Sequence, residues 1–174
     1  MTLARPLTTT SDTPPTFAGA AERHLDDVFG YLLYLTRDRA LADDLCGATF
    51  EKALHQWSRF DPRRGTARTW LLAIARTTAL DWFRAEARRQ RREDAAAEPE
   101  LHEATFLEGL SPALQSALAT LSGGEREVLA LRIVIELDGD QTARVLGISP
   151  TAVSTRLSRA LTKLEEKVRN DDLR

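Results

Sequence analysis

Between residues 68 and 92 the sequence reads RTWLLAIARTTALDWFRAEARRQRR, with tryptophans and arginines interleaved at helical spacing. Indole faces can stack on unstacked bases while guanidinium groups neutralise phosphates, the combination that holds a single nucleic-acid strand. Large aromatics at this spacing also suit a packed core, so the stretch taken alone admits both readings. A second cationic run follows at 146-LGISPTAVSTRLSRALTKL-164. Ser149 before Pro150 is an N-cap followed by proline at the first helical position, which predicts a helix from Pro150. Val153, Leu157, Ala160, Leu161, Leu164 and Val168 recur at three- and four-residue steps and form one apolar stripe. Ala152, Thr155, Arg156, Arg159 and Lys163 fall on the opposite half of the cylinder, with Ser149 and Thr151 at its start, and that half can face a polyanion.

Other chemistries find no matching pattern. His24, His55 and His102 are scattered and are expected at the surface; 102-HEATF-106 lacks the second histidine of a metalloprotease helix. The glycines of 122-SGGE-125 are not followed by Lys-Ser/Thr, so they start a helix rather than cradle a phosphate. The acid pairs Asp26/Asp27, Asp43/Asp44 and Glu165/Glu166 are adjacent in sequence, and adjacent side chains diverge by about 100° on a helix. They cannot clasp one reacting atom. A single cysteine, Cys46, excludes an internal disulfide and a Cys-rich zinc site and suits a reducing cytoplasm. Nothing calls for a metal or cofactor, and no enzymatic activity is expected.

The elements that must position the two cationic runs follow from periodicity. Asp138 and Gln141 have capping-box spacing, predicting a helix over 139–146 that stops at Gly147; with the helix from Pro150 this makes a helix-turn-helix. Further helices are expected over 20–36, 40–57, 67–89, 111–120, 123–136 and 150–168. Leu25, Val28, Phe29, Leu32 and Leu35 should line the first, and Leu45, Phe50, Ala53, Leu54 and Trp57 the second, with Asp38 as its cap. The loop 58-SRFDPRRGT-66 separates the second from the third. The fold class is therefore all-α. Net charge is −2, yet ten arginines stand between Arg59 and Arg92 against three acids, and six acids with no lysine or arginine lie between Glu93 and Glu108. The expected organisation is a Thr/Pro-rich disordered leader (1–19), a first helical domain (20–92), an acidic flexible linker (93–109) and a second domain (110–170). No apolar window is long enough to span a bilayer, and residues 1–20 lack the apolar centre of a signal peptide.

Taken in order, 41-LADDLCGATFEKAL-54, 65-GTARTWLLAIARTTALDWFRAEARR-89, the acidic stretch, and 121-LSGGEREVLALRIVIELDGDQTARVLGISPTAVSTRLSRAL-161 resemble the extracytoplasmic-function (ECF) sigma factors of the sigma-70 type. These carry regions 2 and 4 only, and the resemblance runs from about Ala20 to Val168. It implies a region 2 helical bundle and a region 4 helix-turn-helix, acting in promoter-specific transcription initiation. By that resemblance Asp43, Asp44, Leu45, Thr49 and Phe50 would dock on the clamp helices of core RNA polymerase, whose flap is a second contact. Trp70, Arg76, Thr77, Asp81, Arg84 and Arg88 would open and capture the -10 element. Ser149, Thr151, Ala152, Thr155, Arg156, Arg159 and Lys163 would read the -35 element. Promoter DNA and an anti-sigma factor are the other implied partners, in the cytoplasm, with no membrane insertion.

Three positions depart from the family pattern: Gly47-Ala48 where Gln-Glu is common, Thr77 in place of asparagine, and Ala152-Val153-Ser154 in place of Thr-Val-Lys. Two rival readings fit less of the chain. A stand-alone helix-turn-helix regulator accounts for 138–168 but gives no role to 41–54 or the aromatic-basic helix, and a sigma-like protein-interaction adaptor rests on the departures.

Overall fold

The computed structural model describes residues 16–93 and 112–171, and every element in them is helical. Residues 1–15 of the expected leader (1–19) and residues 94–109 of the expected acidic linker (93–109), with His102, lie outside the described residues. Helix α1 spans Phe17–Thr36, α2 Arg39–Gln56, α3 Ala67–Glu93, α4 Pro112–Ala119, α5 Gly123–Leu129, α6 Gly139–Leu146 and α7 Pro150–Asp171.

Local chemistry explains most boundaries. The Thr16 hydroxyl accepts from the Gly19 N–H at 3.2 Å to start α1. Arg37 stops it in the left-handed region, and Asp38 at once caps α2 by accepting from Leu41 N–H at 3.1 Å. Both α5 and α6 open on reciprocal capping boxes, Ser122/Glu125 and Asp138/Gln141. Gly147, at φ 65°, ends α6, and the Ser149 hydroxyl accepts from Ala152 N–H at 3.1 Å to begin α7. Only a residue free of Cβ crowding adopts that φ readily.

Periodicity misassigns three leucines. Leu25 in α1, Leu54 in α2 and Leu161 in α7 are exposed. Helix α2 instead buries Ala42, Leu45, Cys46, Thr49 and Ala53, a stripe of mostly small side chains that brings it close to α1 and α3. The buried Thr49 hydroxyl donates to the Leu45 carbonyl at 2.7 Å, so it enters the core satisfied.

The expected helix over 123–136 is also interrupted. α5 ends at Leu129 and a π-turn occupies Ala130–Val134, closed by Ile135 N–H to the Ala130 carbonyl at 2.9 Å. Glu136 then turns at φ 57° and Leu137 N–H reaches back to the Leu131 carbonyl at 2.8 Å. Three consecutive β-branched residues, Ile133, Val134 and Ile135, sit where the α-helix gives way. The wider turn resets the register so that Leu131, Ile135 and Leu137 point inward.

These inward residues join a core shared with the first three helices. Val28, Tyr31 and Leu32 of α1, Leu45 of α2 and Leu71, Leu72 and Ala75 of α3 belong to one cluster with Val128, Leu131, Ile135, Leu137, Val145 and Val153. A smaller cluster of Leu118, Leu121, Leu129 and Ala160 holds α4 against α7. All three tryptophans lie in the first three-helix group, at 57 in the turn between α2 and α3 and at 70 and 82 in α3. Leu131→Ala, on the other side of the shared core, is therefore expected to destabilise by about 2–5 kcal/mol and to move the tryptophan-fluorescence and circular-dichroism midpoints of urea unfolding together. A fluorescence midpoint that stays at the wild-type value would show that the two halves unfold independently.

Candidate nucleic-acid interface

Two helices present the cationic residues. On α7, Val153 and Ala160 are buried while Ser149, Thr151, Thr155 and Arg159 are exposed on the opposite side, with Ala152 and Arg156 partly covered between them. Arg156 lies along α5: its Nη1 would stand 3.3 Å from a Cβ built at Gly124, so the glycine leaves room for the guanidinium. Lys163 is paired, its Nζ donating to Glu125 Oε2 at 2.9 Å. That contact, with the Ser122 N–H, holds the Glu125 carboxyl at about 2. Lys163 thus ties α7 to α5 in addition to facing outward.

On α3, Trp70, Thr77, Asp81, Arg84 and Arg88 fall on one stripe, within about 40° of one line at 100° per residue. Thr77, Asp81, Arg84 and Arg88 are exposed, and Asp81 pairs with Arg84 at 3.2 Å. Arg76 is turned away from this stripe. Its Nε donates to Glu127 Oε1 at 2.8 Å and its Nη2 to Oε2 at 3.3 Å, with the two side chains only 24% and 11% exposed. The Tyr31 hydroxyl is buried without a hydrogen-bond partner of ordinary geometry. Burial, then the neighbouring Glu127 charge, pushes its pKa up.

Trp70 is partly covered and has two kinds of surroundings. One side joins a cluster in which Trp57 stacks on Phe60 (centroids 4.9 Å, 19°) and meets Trp70 edge-on (5.6 Å, 71°). Another side lines a cavity of about 380 Å³ together with Arg59, Phe60, Arg64, Thr69 and, from α6, Arg144. The loop residues Arg59, Phe60 and Arg64 and the helix residue Arg144 were not among the expected site residues; the arginine excess from Arg59 onward was the available signal for Arg59 and Arg64. Arg144 carried none, because nothing local places α6 beside α3.

On α2, Asp43 and Asp44 are exposed and Phe50 is partly covered, but Leu45 and Thr49 lie inside the bundle and support this surface from beneath. Leu54, 55% exposed, stands on the stripe of Asp43, Gly47 and Phe50 and is an outward residue that periodicity had turned inward. Cys46 is buried and its thiol is pushed up to about 11 by desolvation, then by Asp43. His55 is exposed as expected. His24 is not: its side chain is 16% exposed and sits 3.4 Å from Asp27. Asp27 in turn accepts two bonds of 2.7 Å from Arg68, whose Nη2 also donates to the Ile135 carbonyl at 2.6 Å.

The Sigma-70 region 2 family model matches residues 20–89 and the Sigma-70 region 4 model residues 111–164. The ECF RNA polymerase sigma factor SigC of Mycobacterium tuberculosis is 33% identical over 151 residues, covering 84% of this chain and 80% of SigC. The chain belongs to the ECF sigma factors. It acts in promoter-specific initiation of transcription. The ECF sigma factor BldN of Streptomyces coelicolor is 30% identical over 161 residues, covering 89% of this sigma factor but 61% of BldN. The sigma factor RpoE of Bartonella quintana, solved in complex with the anti-sigma factor NepR, shares the fold at a TM-score of 0.74 and 22% identity, covering 88% of this chain and 96% of RpoE.

The paired Glu125 gives this sigma factor an acid-labile joint between α5 and α7. Because the folded-state pKa of Glu125 is lowered from 4.5 to about 2, its contribution is present above the unfolded value and is lost as pH falls through about 2. Glu125→Gln is expected to lower the thermal midpoint at pH 7, with the gap to wild type narrowing steadily from pH 5 to pH 2. A gap independent of pH would show that the carboxylate charge contributes nothing to the joint.

Proposed function

We propose that this sigma factor divides its work between a region 2 unit over 20–92 and a region 4 unit over 110–170, joined by the acidic stretch 93–109. The observation that carries this reading is the pair of outward stripes, one on α3 and one on α7, each backed by buried apolar residues of the same helix. On α7, Ser149, Thr151, Ala152, Thr155, Arg156 and Arg159 face the -35 duplex, where arginines can hold phosphates or guanine edges. On α3, Trp70, Thr77, Asp81, Arg84 and Arg88, with Arg76 when released from Glu127, take the -10 strand. The cavity beside Trp70, with Phe60 and two loop arginines, suits a base drawn out of the stack.

Core RNA polymerase would be met through Asp43, Asp44, Phe50 and Leu54 on α2, with Leu45 and Thr49 as their internal support, and through its flap at region 4. Gly47 lies on that same stripe with open space around it, so a partner can approach the α2 backbone closely. Polymerase makes the phosphodiester bonds; the sigma factor binds, orients and separates strands. An anti-sigma factor is a further partner in this reading, as for RpoE with NepR and for CnrH, 28% identical to this chain, solved with the cytosolic domain of CnrY. The setting is the cytoplasm, where polymerase and promoter are found; no helix among the described residues is long and apolar enough to cross a membrane.

The docking surface makes a first test. Asp43→Lys with Asp44→Lys, and separately Leu54→Asp, are expected to weaken core-polymerase capture at least several-fold. As exposed substitutions they should change stability by no more than about 0.5 kcal/mol. Wild-type affinity for core in both variants, with normal helicity, removes α2 from the interface. The division of labour makes a second. Arg156→Ala with Arg159→Ala should reduce closed-complex formation by about 1–3 kcal/mol per bidentate base contact and spare strand capture on a template pre-opened at -10. Thr77→Asn should shift preference among -10 sequences and leave -35 affinity unchanged. Run-off transcription with reconstituted core on a library varied in both elements reads both effects. Retention of wild-type -35 discrimination by the arginine double variant would overturn the α7 assignment.

A further inference from the structure

We propose that Gly124 is a positioning residue for -35 binding: by withholding a side chain it lets the Arg156 guanidinium lie unpaired across the first turn of α5, from where it holds a phosphate at the rim of the groove that α7 enters. The proposal deepens the assignment of α7 to the -35 duplex and rests on it, and it separates Arg156 from Arg159 by task.

Three observations carry it. Gly124 lies inside α5 without a positive φ, so the backbone makes no demand for glycine there, and glycine weakens a helix interior. What the missing side chain leaves is space for one neighbour. Nη1, Cζ and Cδ of Arg156 lie 3.3, 3.6 and 3.9 Å from the point where a Cβ on Gly124 would stand, so the guanidinium and the end of its stem rest against the glycine. Gly123, one residue earlier, has open space around it. Arg156 and Lys163, two turns apart, fall within about 20° of one line on α7, and both face α5. Lys163 is neutralised there by Glu125 at 2.9 Å. Arg156 meets a glycine instead of an acid and forms no hydrogen bond or ion pair among the described residues, so its donors remain available.

The place on the helix names the ligand. An α-helix with its side chains is about 10–12 Å across, and the major groove of B-DNA is about 12 Å wide. When the outer side of α7, with Thr151, Thr155 and Arg159, faces the base edges, its flanks meet the sugar-phosphate walls. Arg156 stands on such a flank, about 60° from the buried Val153 and about 100° from Thr155, and lies over toward α5. A guanidinium there takes two oxygens of one phosphate, a contact that fixes register without reading sequence. A long side chain at 124 would take the seat and turn the guanidinium off that wall.

The test uses holoenzyme reconstituted from core polymerase and the full chain, bound to duplex promoters that vary in the -35 element. Arg156→Ala should lower affinity by the same factor on every variant. Its loss of affinity between about 50 and 200 mM salt should be roughly threefold shallower than that of wild type, the share of one phosphate. Arg159→Ala should instead reorder the variants. Gly124→Gln fills the seat without adding charge and should reproduce both effects of Arg156→Ala, while its thermal midpoint stays at or above that of wild type because a glycine leaves the helix. Gly123→Gln makes the same change in helix propensity one residue away and should bind like wild type. In an Arg156→Ala background, Gly124→Gln should cost nothing more. Wild-type binding by Gly124→Gln, or an equal loss in Gly123→Gln, overturns the seat. So does a Gly124→Gln loss that persists without Arg156, since residue 124 would then meet DNA itself. Reordering by Arg156→Ala overturns the phosphate assignment. Wild-type binding by both Arg156→Ala and Arg159→Ala on every promoter overturns the α7 reading itself, an outcome distinct from failure of the seat alone.

Discussion

A carboxylate taken out of water between two helices must find a cation, and Glu127 finds Arg76. Much of the molecule is arranged around that requirement. α5 has seven residues, too short to be stable as an isolated helix, and its place is set by the capping box at Ser122, the ion pair to α3 and the buried side chains of Val128 and Leu129 that follow Glu127. The π-turn that follows is what returns the chain to α1 in the correct register. Without the extra residue in that turn, Ile135 could not bring its side chain to Gly30 and its carbonyl to Arg68 together.

Two other charged contacts repeat the principle at lower burial. Arg68 bridges Asp27 and a backbone carbonyl, so one guanidinium satisfies both a carboxylate and the free end of a turn. Lys163 keeps Glu125 ionised at the N-terminus of α5, where the helix dipole also favours negative charge. Each pair joins elements distant in sequence. Of these two cations, Lys163 is also one that the resemblance assigns to the -35 element.

Helix α7 shows how one element serves both demands. Its buried side holds Val153 and Ala160, and its outer side carries hydroxyls near the start and arginine further along. Helix α2 solves a related problem with smaller residues. Alanine, cysteine and threonine on the inner stripe allow close packing, which leaves Phe50 and Leu54 at the surface beside Asp43. The bundle can leave Leu54 outside because its core is already filled.

The sequence by itself determined the elements and their caps. Asp38, Ser122, Asp138, Gly147 and Ser149 act within four residues of their partners, so their chemistry is legible locally. The helix-turn-helix, the two-sided α7, the arginine-rich α3 and the order of the family's motifs were legible for the same reason. Periodicity placed Leu45 inward, but the tertiary structure alone decided that Thr49 is buried while Leu54 is exposed, since three packed helices choose among faces that a single periodicity cannot rank. It alone broke the long helix after Leu129, where β-branched crowding and the pull of the shared core outweigh helical continuity. And it alone brought Glu127 to Arg76 and Arg144 to the cavity beside Trp70, because those pairs are separated by 51 and 74 positions in the sequence and meet only when the two units share one core.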